Sequence, residues 1–158
     1  MKTLDFIGLN EKKVQTVVDN LNILLADLQV FYTNMRGYHW NVKGPGFFQL
    51  HEKYEYVYND LAAKIDEVAE RIIQLGAVAE NRFSEYLKIA EVKETAEVKP
   101  GSESFLFILD TYKTIIARER KIVELASEAG DDTTVAIMDD FLKGQEKAVW
   151  MFVAASTK

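Results

Sequence analysis

Residues 50–75 read Leu50-His51-Glu52-Lys53-Tyr54-Glu55-Tyr56-Val57-Tyr58-Asn59-Asp60-Leu61-Ala62-Ala63-Lys64-Ile65-Asp66-Glu67-Val68-Ala69-Glu70-Arg71-Ile72-Ile73-Gln74-Leu75. Apolar side chains fall at Leu50, Tyr54, Val57, Leu61, Ile65, Val68, Ile72 and Leu75. That three-four spacing predicts one long amphipathic helix with a single buried stripe. Working outward, Val14, Val17, Val18, Leu21, Leu24, Leu25, Leu28, Phe31, Tyr32 and Met35 keep the same period behind Asn10, an N-cap residue type. Phe105, Ile108, Leu109, Tyr112, Ile115, Ile116, Ile122 and Leu125 form a third stripe, and Val135, Met138, Leu142, Val149 and Phe152 a fourth. Four long helices and no strand pattern predict an all-α four-helix bundle.

The breaks set the topology. Gly44-Pro45-Gly46 and Pro100-Gly101 interrupt the helical pattern, and Gly76 and Gly130 read as helix stops. The first connection, around residues 40–46, and the third, around Gly130, are short, so they join antiparallel neighbours. The middle connection, residues 77–101, is long. A 28-residue helix is about 42 Å long, and a 25-residue link reaches about 80 Å when extended. It therefore has the length to run back along the bundle as one long crossover. Ser84 to Lys88 within it read as a small helix. Residues 1–158 are expected to form one domain.

Composition narrows the chemistry. The chain has 158 residues, 48% hydrophobic and 28% charged, which suits a packed core under a charged surface. It has no cysteine, which excludes disulfides, thiolate metal sites and cysteine nucleophiles. No stretch approaches the roughly 20 apolar residues of a membrane helix. The start, Met1-Lys2-Thr3-Leu4-Asp5, lacks the pattern of a secretion signal, so a cytoplasmic location is expected. A formal net charge of −6 offers no average attraction to nucleic acid and some attraction to cations.

The two histidines, His39 and His51, both lie at the break between the first two helices, and Glu55, Asp66 and Glu70 follow on the second helix. His51 and Glu55 are i,i+4 neighbours, as are Asp66 and Glu70. The 11 residues from Glu55 to Asp66 amount to about 1100°, leaving only about 20° of rotation, so both pairs point the same way. Yet the rise from His51 to Asp66 is about 22 Å, whereas metal ligands must lie within about 2.0–2.2 Å of the ion. A second copy of the helix, antiparallel about a twofold axis, would bring Asp66 and Glu70 of one chain against His51 and Glu55 of the other. The twofold makes two such sites per dimer. Imidazole with carboxylates suits iron, zinc or manganese, and an incomplete ligand set leaves positions open for an oxidant. The blander readings are surface or capping histidines and a solvated face of ion pairs among Lys64, Asp66, Glu67, Glu70 and Arg71.

Tyr38-His39-Trp40-Asn41-Val42-Lys43-Gly44-Pro45-Gly46-Phe47-Phe48-Gln49-Leu50-His51-Glu52-Lys53 closely resembles the signature segment of Dps proteins, the mini-ferritins. Ile65-Asp66-Glu67-Val68-Ala69-Glu70-Arg71-Ile72 resembles their second segment, and Gly130-Asp131-Asp132-Thr133 and Lys147-Ala148-Val149-Trp150-Met151-Phe152 are also similar. The resemblance implies a ferritin-like four-helix subunit with a short helix in the crossover, assembled into a hollow dodecamer. It implies ferroxidase sites at twofold interfaces, where ferrous iron is oxidised, preferentially by hydrogen peroxide, and stored as ferric mineral inside. His39, His51 and Glu55 would come from one subunit and Asp66 and Glu70 from its partner, with Trp40 beside the iron. Members often carry Asp where this chain has Glu55, which reaches one methylene further.

DNA binding, the family's other activity, is expected to be weak at neutral pH. The residues before Asn10 include one lysine, Lys2, and the end Ala155-Ser156-Thr157-Lys158 one more, too few to neutralise many phosphates. The competing reading is a nucleoid-compacting protein with incidental metal affinity. A maxi-ferritin or di-iron oxidase is disfavoured because the Glu-x-x-His pairs usual in such bundles do not occur. For iron uptake, Asp131, Asp132 and Asp139 are candidate pore acids, a region that commonly lines threefold pores in Dps proteins. Capping and the helix macrodipole explain Asp131 and Asp132 equally well.

Overall fold

The structure, a computed structural model, describes residues 2–96 and 103–157. Six helices occur among them: α1 (Thr3–Ile7), α2 (Glu11–Asn41), α3 (Phe47–Gln74), α4 (Phe83–Ile89), α5 (Glu103–Ala129) and α6 (Asp132–Ser156). No strand occurs among the described residues, and no helix is long and apolar enough to cross a membrane. The four long helices are the four expected from the stripes. The Asn10 side chain caps α2 by accepting from the backbone N–H groups of Lys12 and Lys13. Gly76 and Gly130 follow α3 and α5 with φ of 84° and 75°, a left-handed turn that stops a helix and that glycine adopts without Cβ strain. The break at Pro100-Gly101 lies outside the described residues.

α2 packs against α3, α4 and α5, and α5 packs against α6. Their stripes meet in one core holding Phe31, Met35, Tyr54, Leu61, Ile72, Ile108, Ile115, Ile122 and Met138. The crossover is tied to α2 at two positions two turns apart. Asp27 Oδ1 accepts from the backbone N–H of Glu91 at 2.7 Å and of Val92 at 2.9 Å. Asn34 donates to the Lys93 carbonyl at 2.9 Å and accepts from Thr95 N–H at 3.0 Å. The small helix expected at Ser84–Lys88 is α4, longer by a residue at each end.

Two features differ from expectation. Ahead of Asn10, where the sequence pattern pointed to no helix, Thr3–Ile7 form a docked one: Leu4 is buried beside Gly76, and Lys2 Nζ pairs with Glu11 at 2.7 Å. Burying such a leucine contributes about 1.5–3 kcal/mol, enough to hold a five-residue helix that would not form alone. Arg71 and Lys64, placed on a solvated face by charge pattern, are buried, while Asp66, Glu67 and Glu70 are exposed. Lys64 pairs with Asp60 at 2.6 Å and lies over the Phe141 ring at 5.2 Å. Arg71 reaches past the end of α3 to Asp131 at 2.5 Å.

Candidate metal centre

The link at residues 42–46 turns the chain through the left-handed conformations of Gly44 and Gly46 and sends α3 back along α2. His39, in the last turn of α2, therefore meets His51, in the second turn of α3. Their rings stack with centroids 3.7 Å apart and planes 21° from parallel. His39 Nδ1 lies 2.8 Å from the His51 carbonyl oxygen, and His51 Nδ1 lies 2.9 Å from the His39 carbonyl oxygen. A carbonyl only accepts, so each Nδ1 carries the proton and donates. In a neutral imidazole that proton placement leaves the lone pair on Nε2, the form that ligates metals and that a hydrogen bond at the other nitrogen orients. Both rings are half-buried, with Phe47 stacked beyond His51 at 5.1 Å and Tyr58 set edge-on to His39 at 5.3 Å.

Glu55 is exposed one turn beyond His51, and the Tyr58 hydroxyl donates to its Oε1 in a long hydrogen bond of 3.5 Å. His39, His51 and Glu55 thus gather at one end of α3. Asp66 and Glu70 are exposed further along the helix, Asp66 about 22 Å beyond His51 and Glu70 one turn more. Among the described residues, no three histidine or acidic side chains come together within one subunit in a way that could hold a metal ion. Trp40 is exposed, with the Arg36 guanidinium 4.6 Å over its ring.

The three candidate pore acids separate. Asp131 is 1% exposed. It caps α6 by accepting from Thr134 N–H at 3.0 Å, takes the Thr134 hydroxyl at 2.5 Å, and pairs with Arg71. Those contacts account for Asp131 as cap and buried counter-ion. Asp132 and Asp139 remain exposed on α6. Charge patterning did not single out Tyr58, Tyr32 or Arg36. The signal was present: Tyr58 is i+7 from His51 and i+3 from Glu55, the spacing of one helix face.

Residues 18–158 match the family model of the ferritin-like domain, which gives the class of the bundle. A "DNA protection during starvation protein" of Porphyromonas gingivalis is 57% identical over 99% of this chain and 99% of its own length. The crystal structure of a Dps protein from Vibrio cholerae, described as a member of a broad superfamily of ferritin-like diiron-carboxylate proteins, matches with a TM-score of 0.91 and 47% identity, covering 94% of this chain and 93% of that one. The crystal structure of antigen TpF1 from Treponema pallidum matches with a TM-score of 0.91 at 30% identity, covering 94% and 96% of the two chains. This chain belongs to the Dps family of ferritin-like proteins.

Proposed function

We propose that the protein is a ferroxidase and iron store, assembled as a dodecamer, that oxidises ferrous iron with hydrogen peroxide at twofold interfaces. The observation that carries this reading is the reciprocal hydrogen bonding of His39 and His51, which engages Nδ1 of both stacked rings and leaves Nε2 of each for a metal. His39, His51 and Glu55 of one subunit hold iron together with Asp66 and Glu70 of its partner, and Trp40 stands beside the site. Two ferrous ions each give one electron to one peroxide. With two waters, the products are two FeO(OH) units and four protons. The protein supplies position and open coordination, and the iron supplies the electrons. Zinc or manganese, which accept the same ligand types, would compete as inhibitors.

On this reading, protection of the kind the Porphyromonas relative is named for would come in this protein from removing ferrous iron and peroxide together, without contact to DNA. Docking of α1 and the net charge of −6 both weigh against binding of DNA at neutral pH. Asp132 and Asp139, the exposed acids of α6, are the residues we assign to iron uptake.

Complementation tests the intersubunit site. His39→Ala/His51→Ala and Asp66→Asn/Glu70→Gln chains should each form shells that oxidise ferrous iron only slowly with peroxide. Refolded together at equal amounts, half of the dimers are mixed, and each mixed dimer restores one of its two sites, so about a quarter of the parent sites return. No recovery in the mixed shells would refute sharing between subunits. Parent-like oxidation by either variant alone would refute the ligand assignment.

A further inference from the structure

A groove of about 510 Å³ lies between the first half of α3 and the second half of α6, within the roughly 300–1,000 Å³ of small-molecule sites. From α3, Gln49, Lys53 and Tyr56 line it at i, i+4 and i+7, and from α6, Gly144, Lys147 and Met151 line it at i, i+3 and i+7. One face of each helix therefore confronts the other. A Cβ placed on Gly144 would meet no atom within 4 Å, so this glycine helps keep the groove open. Lys53 stands about 200° round α3 from His51, on the side away from the candidate metal centre.

Two lysines without counter-ions give the groove its chemistry. An unpaired ammonium ordinarily stays in water. Lys53 instead is half-buried, with its ammonium 4.0 Å from Met151 Sδ, 4.9 Å from the Tyr56 ring centre and 5.7 Å from that of Phe152. Sulfur and ring faces compensate only weakly for the water it has lost. Lys147, exposed on the same groove, repels it. Asp60, the acid that attracts it, is engaged by Lys64 at 2.6 Å, and Glu146, next to Lys147 in the chain, is engaged by Arg120 at 2.6 Å. Glu52 also lines the groove, yet among the described residues it pairs with neither lysine. Two like charges thus share one groove without the anion that would offset their repulsion.

We propose that this groove binds a phosphate group held between the Lys53 and Lys147 ammonium groups, with the Gln49 amide and the Tyr56 hydroxyl as neutral donors at its edge. Each ammonium is a compact charge with three N–H donors, which suits a doubly charged tetrahedral oxyanion. The apolar surroundings of Lys53 lower the local dielectric and strengthen that attraction. The net charge of −6 repels anions on average, so binding that saturates requires a local site. No metal takes part, and the site stands or falls apart from the iron-oxidising reading.

The test is calorimetric titration of the assembled, chelator-treated protein with inorganic phosphate at neutral pH, in about 0.15 M chloride to screen diffuse surface attraction. The parent should bind phosphate saturably. Lys53→Met/Lys147→Met should weaken binding roughly tenfold or more, through loss of charge-assisted hydrogen bonds. Lys12→Met/Lys13→Met, the same charge change on α2, should bind as the parent does. A nucleoside monophosphate that displaces phosphate at lower concentration names a phosphate monoester as the occupant, and one that displaces it only at higher concentration names the free ion. If the groove variant does not assemble, acylation of the parent's amines with and without phosphate, mapped by mass spectrometry, should show Lys53 and Lys147 protected. No saturable binding by the parent, parent-like binding by the groove variant, equal loss in both double variants, or no protection of these two lysines would overturn the site.

Discussion

Substituting Asp131 by asparagine separates a structural role from a channel role, and the structure sets its size. The Arg71 and Asp131 side chains are 5% and 0% exposed. Arg71 spends its other donors on the Thr134 hydroxyl and on Gln74, each at 2.9 Å, so neither can take over the charge of Asp131. The substituted side chain would keep the shape and the helix cap, since asparagine caps as well as aspartate. What the change removes is the counter-charge, leaving a guanidinium in the core opposite a neutral amide. Breaking one partner of a buried pair costs about 3–5 kcal/mol. For a chain of this length each kcal/mol lowers the melting temperature by about 2–4 °C, so the expected drop is about 6–20 °C. Calorimetry at one fixed protein concentration is the assay, because assembly adds to apparent stability. The double variant Arg71→Met/Asp131→Asn, which removes both charges, should recover much of the loss. Iron uptake per assembled shell should stay near the parent rate in Asp131→Asn. A loss under about 1 kcal/mol, or slowed uptake in a shell as stable as the parent, would refute the buried lock and return Asp131 to the pore.

Glu119 is fully buried and accepts from Gln145 at 2.7 Å, and burial pushes its carboxyl up to about 8 from an ordinary value of 4.5. The folded state then holds the extra proton between those limits. Stability should fall as pH rises through that window, by at most about 1.4 kcal/mol per pH unit, and level off above it. Glu119→Gln should flatten the slope of the urea midpoint between about pH 5 and 8, and an unchanged slope would place the titration elsewhere. Asp27→Ala should leave the Glu91 and Val92 N–H groups without their acceptor at a cost of about 1–3 kcal/mol each. Limited proteolysis should then cut near residues 90–96 faster while the long helices persist, and parent-like cleavage would deny Asp27 its clamping role.

The bundle was legible because its determinants are local. A helical stripe such as Val14 to Met35 repeats over many turns, and each repeat restates the same period. The breaks at Gly44-Pro45-Gly46, Gly76 and Gly130 act through their own backbone conformations. Helix α1 was not legible, since five residues carry almost no periodic signal and the helix exists through burial of Leu4 against the end of α3. Arg71 and Lys64 were misplaced for a related reason. Charge pattern assigns a residue to a face by its angle, but a long side chain at a stripe's edge goes wherever a counter-ion waits. Asp131 and Asp60 supply those counter-ions, and only Asp60 is near in sequence. At the candidate site the histidines stood out by scarcity. Their mutual hydrogen bonds did not, because each runs to a backbone carbonyl twelve residues away, across a turn whose geometry two glycines set.

That turn ties the proposed chemistry to assembly. His39 and His51 are preorganised inside one chain, and their geometry needs no partner. The acids expected to complete the site begin about 22 Å beyond His51 on the same helix, and no bending of α3 could close that gap without breaking its hydrogen-bond ladder. On the intersubunit reading, a free subunit therefore offers iron two imidazoles and one flexible glutamate, a weak and solvent-open set. The dimer supplies the two carboxylates that neutralise the ion and draw in the second one. Ferrous iron would then be oxidised rapidly only where subunits have paired, the step from which a shell that retains the ferric product is built.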